Sequence, residues 1–393
     1  MNFAAETTTE SKRLHDELKR GTRIISLSGL TSIASKAFVL SELKTKTEKT
    51  FVVIADTNKE LETWECDLEF FHSRFQIPDS KLKKSEVPNP ESEIWNPASG
   101  ILKLPSFETD VYSGISPHAE TQEERALTLW RLTQNAPDFL VVSAKSLVTK
   151  TVPPDEMNKL GAVLKRDADF APEALIEKLV ASGYVREEPI KNVGEFSVRG
   201  GIIDVWSPTA ENPVRLEFFG DTVDSIRQFD AETQLSIGQL PEISIAPMRE
   251  FSATAKDFKD WAFFAREKFD DERFARNLKD RTQFADEGED FGGWEFFISL
   301  VNPKSASVFD YIKDAIFVAD EPALIEQTLT HFYETVEKRF AEITEADDIG
   351  LEPHELFLDG ETLRGKLENK QRVELRALGR TAAQTDEEFQ VSP

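Results

Sequence analysis

The stretch "IISLSGLTSIASKA", residues 24–37, decides the fold. An apolar run at 24–27 leads to Gly29, and a helical pattern, Phe38-Val39-Leu40-Ser41-Glu42-Leu43, follows. Strand, glycine-containing loop and helix form the setting of a phosphate-binding P-loop, whose pattern is G-x-x-x-x-G-K-[ST]. With Gly29 first, Ala34 stands in the second glycine place, Ser35 in the lysine place and Lys36 in the hydroxyl place. The missing glycine would have let the backbone approach the phosphates. The missing lysine would have reached the β- and γ-phosphates, and the hydroxyl would have held Mg²⁺. Lys36 comes one place late, about 100° round the helix, and is expected to point elsewhere. Sliding the frame by one puts Leu30, Ser35 and Ala37 in the key places, which also fails. The stretch predicts a strand-loop-helix that kept its fold and lost its nucleotide.

The surrounding pattern supports that frame. Apolar runs at 24–27, 51–55, 101–104 and 139–143 alternate with helical patterns at 34–43, 60–71 and 120–132. Such alternation predicts a parallel sheet covered by helices. Two prolines in "KTVPPDE" (150–156) break it. One helix at 172–181 is followed by period-two runs at 196–198, 202–206, 214–218 and 223–226, with turns at Gly200-Gly201, Ser207-Pro208 and Gly220-Asp221. These read as antiparallel strands of a small α+β domain inserted into a larger one. Beyond about 250 the chain is helical and rich in Phe, and "AIFVADEP" (315–322) reads as a further strand before a helix at 321–341. The tail 379–393 shows no period.

Composition narrows the chemistry. The 393 residues carry a net charge of −25, which repels phosphate backbones and anionic membranes. The one cysteine, Cys66, rules out an internal disulfide or a cysteine metal cluster and is expected to be a small core residue of a helix. A cytoplasmic setting fits, with no membrane and no cofactor implied. The five histidines, His118 among them, lack metal-ligand spacing. Asp320 and Glu321 could be the magnesium-holding pair of a nucleotide site, but Asp320 before Glu321-Pro322 also makes an ordinary helix start, with Asp as N-cap. Asp320 is expected to act as a helix cap. Arg186 in "GYVREE", with Phe196 and Arg199 in "GEFSVRGG", forms an exposed-looking set. Arg199 beside Gly200-Gly201 suits bidentate contact with a partner's carboxylates, or an ion pair with Glu187, Glu188 or Glu195. The residues alone leave both open.

The strings "GEFSVRGGIIDVWSP" (194–208), "PVRLEFFGDTVDSIRQFD" (213–230), "LPSFETDVYSGISPHAETQEERALTLWRL" (104–132) and "IFVADEP" (316–322) together resemble the N-terminal, UvrB-homologous region of the bacterial transcription-repair coupling factors. The resemblance covers about residues 20–390. It implies an α/β fold: a decayed P-loop, RecA-like parallel-sheet domain in two segments, with an inserted small α+β domain built on an antiparallel sheet. The implied division is 1–152 and 236–350 for the outer domain, 153–235 for the insert and 351–393 for a segment leading to a next domain. The implied role is a non-catalytic module that recruits UvrA through Arg186, Phe196 and Arg199, linking stalled RNA polymerase to nucleotide excision repair. Ser197 stands where UvrB has a further arginine. RNA polymerase, DNA and ATP would be engaged by later domains of a full-length protein, and the abrupt end suggests a fragment. Gly29, Ser35, Lys36, Asp320 and Glu321 would be the remains of the nucleotide site. A DNA-clamping aromatic hairpin between 72 and 118 is not expected. The alternative is a divergent ATP-dependent DNA helicase or excision subunit using Asp320 and Glu321. The same arginine surface could also dock on a later domain as a brake.

Overall fold

The computed structural model describes residues 9–76, 100–377 and 388–391. Part of the expected absence of a hairpin between 72 and 118 lies outside the described residues. The strands are β1 (Ile24–Ser28), β2 (Thr50–Ala55), β3 (Ile101–Leu104), β4 (Phe139–Ser143), β5 (Ala162–Lys165), β6 (Val185–Arg186), β7 (Glu195–Arg199), β8 (Ile202–Val205), β9 (Val214–Phe219), β10 (Thr222–Phe229), β11 (Ser236–Gln239), β12 (Glu242–Ile245), β13 (Ala315–Asp320), β14 (Arg372–Arg376) and β15 (Glu388–Val391).

The outer domain is an α/β unit on one seven-stranded sheet, ordered β15-β1-β14-β13-β2-β4-β3. Every pairing in it is parallel. The central runs TFVVIA and FLVVS are buried at every position, as strands covered on both faces must be. Side chains alternate between two cores: Val52, Ile54, Leu140 and Val142 pack on one face, and Phe51, Val53, Phe139 and Val141 on the other. β13 and β14 come from the far end of the sequence, so this domain is assembled from two segments. β15, within the tail expected to be irregular, pairs with β1 at the sheet edge. Four residues are too few to register as a period.

Between those segments sits a separate α+β unit. Its six-stranded sheet runs β11-β10-β9-β8-β7-β6; the β6–β7 pair is parallel and the other pairs are antiparallel. β5 and β12 pair beside it, and helix Pro172–Ala181 packs Leu175 and Leu179 into a third core with Phe196, Ile203, Leu216 and Ile226. Gly200 and Gly220 take φ of +60° at the two hairpin turns, where a side chain would be strained. Arg215 grips Asp204 with two bonds of 2.7 and 2.8 Å, tying β9 to β8.

Helices Ala255–Lys268 and Ala275–Glu287 then cover the first core with packed aromatics, Trp261 lying 4.3 Å from Phe291 between ring centres in a tilted arrangement. Cys66 is exposed, not buried as expected. It sits two residues past Trp64, about 200° round the helix and off the Leu61-Trp64-Leu68 face. No helix among the described residues is long and apolar enough to cross a membrane.

Candidate functional site

Two places are candidates: the crevice at the carboxyl ends of β1 and β13, and the exposed end of the inserted sheet.

In the crevice, Gly29 turns the chain out of β1 with φ of +87°, and its N–H donates to the Arg376 carbonyl. Ser32 then caps helix Ile33–Lys44 by accepting from the Ser35 N–H. The Ser35 hydroxyl donates to the Ser32 carbonyl, so it is occupied locally. Lys36 does not point elsewhere. Its Nζ lies 2.5 Å from Asp320 Oδ1 and 2.9 Å from Glu321 Oε1, with the lysine side chain 5% exposed. The reason is that side chains lean toward the N-terminus of their helix, and a four-carbon stem is long enough to fold back over the loop.

The carboxylates are held from other sides too. Trp64 Nε1 donates to Asp320 Oδ2 at 3.1 Å, and the Ala377 N–H donates to Glu321 Oε1 at 2.7 Å. Asp320 is therefore not a helix cap. Glu321, with φ of +54°, precedes helix Pro322–Glu345 and makes no side-chain cap bond. Asp320 turns inward because the lysine is there to pair with it. Burial pushes the Lys36 ammonium down, but its hydrogen bonds to Asp320 and Glu321 more than reverse this and hold it above the usual lysine value. The crevice thus contains an internal cation where a nucleotide site would place a metal ion and phosphates. Titration with a fluorescent ATP analogue and Mg²⁺ should show no saturable binding below ~1 mM. Saturable binding that disappears in Asp320→Asn would show the crevice to be a working site.

At the end of the inserted sheet, Arg199 closes β7 beside the Gly200-Gly201 turn. Its side chain is 49% exposed and its Nε lies 2.7 Å from Glu188 Oε1, itself 58% exposed. Arg186 lies exposed on the two-residue edge strand β6, opposite Phe196. Among the described residues no carboxylate pairs with it. Phe196, expected beside the arginines as a contact, is 1% exposed and belongs to the third core. Period-two alternation puts 196 and 199 on opposite faces, so Phe196 packs into the core and is not part of the exposed surface that carries Arg199. Ser197 is also buried.

The structure adds a residue that the sequence reading missed. Phe219 is 83% exposed. The Phe218 N–H donates to the Gly201 carbonyl, which brings the tip of the β9–β10 hairpin alongside the turn that carries Arg199. The signal was present: of two adjacent phenylalanines on a strand, only one can face the core. An uncovered aromatic next to an exposed arginine has the composition of an interface centre.

Residues 163–251 match the family model described as the UvrB interaction domain. The chain is 28% identical to the transcription-repair-coupling factor of Myxococcus xanthus over 362 residues, 90% of this chain and 28% of that protein. It is 27% identical to the Haemophilus influenzae factor over 70% of this chain and 24% of that protein. With the Bacillus subtilis factor the identity is 33% over 53% of this chain and 19% of that protein. The chain spans about a quarter of the length of the curated relatives first matched. Along most of its length, the chain is thus similar to the N-terminal region of the transcription-repair-coupling factors, with a UvrB interaction domain as its inserted unit.

Proposed function

We propose that this chain is a non-catalytic recruitment module of transcription-repair coupling, which binds UvrA through its inserted domain and so links stalled RNA polymerase to nucleotide excision repair. The observation that carries the reading is the exposure of Arg186 on edge strand β6 and of Arg199 at the end of β7, within the residues that match a UvrB interaction domain. A guanidinium takes a carboxylate with two parallel bonds; Arg199 stands at the end of β7 with Phe219 alongside its turn, and Arg186 stands on the neighbouring edge strand β6. The partner chemistry is an acidic surface with a shallow apolar recess. RNA polymerase, DNA and ATP are left to other domains of a longer protein.

The helicase alternative needs Asp320 and Glu321 free to hold a metal ion, and Lys36 occupies both. That favours an outer domain acting as a rigid holder for the insert. Immobilised chain should retain purified UvrA and release it when free chain is added. Failure to retain any UvrA would sink the reading. Phe219→Ala should weaken retention about tenfold, as loss of an interface aromatic does, with no change in thermal midpoint. Unchanged retention would exclude Phe219 from the contact.

A further inference from the structure

The crevice beside β1 is filled, but the sheet has a second one at its carboxyl end, beside β3 and β4. Ligands of open parallel sheets bind at such ends. It is a cavity of about 270 Å³. Its walls are the loop after β3, helix Ala144–Val148 after β4, helix Pro322–Glu345 and the end of helix Pro353–Leu356 with Phe357. The loop belongs to the string "LPSFETDVYSGISPHAET", which the recruitment role leaves without a use.

Four aromatic rings line the cavity: Phe107, Phe296, Phe332 and Phe357. They are braced edge to face in two pairs, Phe107 with Phe296 at 6.2 Å and Phe332 with Phe357 at 4.9 Å between ring centres. The Arg125 guanidinium lies 4.4 Å from the centre of Phe107 and is itself fixed by Glu250, Ser146 and the Pro105 carbonyl. The wall is therefore pre-formed.

The charged lining is unbalanced. Lys145, Lys150, Lys304 and Arg339 meet only Glu108 and Asp110, in a chain of net charge −25. Asp110 is matched by Arg339 at 2.7 Å. Among the described residues no carboxylate pairs with Lys145 or Lys150. Lys145 sits 5.9 Å from the Phe332 ring centre, and Lys150 donates to the His354 carbonyl. Lys304 donates to the Glu295 carbonyl, and burial pulls its ammonium down to about 8. Glu108 holds a left-handed φ of +51°, a strain that collects at ligand clamps.

Flat apolar walls with unmatched cations at the side recognise a flat apolar body with a negative end. We propose that this cavity binds a small aromatic anion, an aryl carboxylate or sulfonate, with its ring among the four phenylalanines and its charge at Lys145 and Lys150. Fluorescence titration with anilinonaphthalene sulfonate should reveal one saturable site from which naphthoate displaces the probe. Thr335→Trp fills the cavity mouth from an exposed helix position, and Lys145→Glu reverses the charge there. Each should weaken the probe about tenfold or more, while thermal midpoints stay near that of the parent. Equal affinity in both variants would put the probe elsewhere, for instance on exposed Phe263 and Phe264, and overturn the proposal. Absence of saturation would overturn it as well.

Discussion

Lys36→Ala should destabilise the outer domain by about 3–5 kcal/mol, the usual cost of breaking a buried ion pair from one side. For a domain of this size the thermal midpoint should fall on the order of 10 °C. The variant leaves Asp320, 5% exposed, with a single indole N–H for company. A surface lysine would have cost no more than about 0.5 kcal/mol. Removing both charges, in Lys36→Met with Asp320→Leu, should recover most of the loss, because an apolar pair of similar volume replaces a buried ion pair at little cost. The pH dependence has a definite sign. Burial already holds the Asp320 carboxyl above its usual value in the parent, and in Lys36→Ala, without the cation that lowers it, the carboxyl should take up a proton at still higher pH. The folded variant then binds more protons than the unfolded one, so its deficit should shrink as pH falls from about 8 to about 5. In the parent, Lys36 is raised, so its contribution is complete below the unfolded lysine value of ~10.4 and is lost only as pH rises through the folded value. Urea and thermal melts at the two pH values check this. A variant that melts like the parent, or whose deficit ignores pH, would show that the buried pair does not hold the crevice.

The second large effect is expected on binding. Arg199→Ala should weaken UvrA binding by ~2 kcal/mol or more, about thirtyfold, as truncation of a central interface arginine commonly does. Arg186→Ala should act in the same direction. Arg199→Lys should recover only part, since an ammonium cannot present the planar fork. The Glu188 pair does not blunt the prediction: both side chains are about half exposed, and such pairs contribute only ~0–1 kcal/mol to folding. Melts of the three variants should therefore overlay the parent. A much lower midpoint for Arg199→Ala would mean that the residue serves the fold instead.

The parallel sheet was legible because β2 and β4 are unbroken apolar runs, and the insert because its strands alternate and turn at glycines. The P-loop frame was legible too, down to the three places where it fails, Ala34, Ser35 and Lys36. What the frame could not show was Lys36. Its position on the helix was read as a direction, although a lysine stem reaches a full turn, and its partners lie 284 and 285 residues away. The reading of Asp320 as a cap failed for the same reason, since local pattern says nothing about a distant cation. Phe196 was misjudged by reading "EFSVRGG" as one exposed edge when alternation already separated its two faces. Phe219 was overlooked at a turn where paired phenylalanines force one into solvent.

The most direct test of recruitment is calorimetric titration of purified UvrA with the parent chain and with the Arg186→Ala, Arg199→Ala double variant. The parent should bind saturably and the double variant should lose affinity on the order of a hundredfold, with both proteins melting together. Equal affinity for the two, or no binding by the parent, would contradict the proposed role.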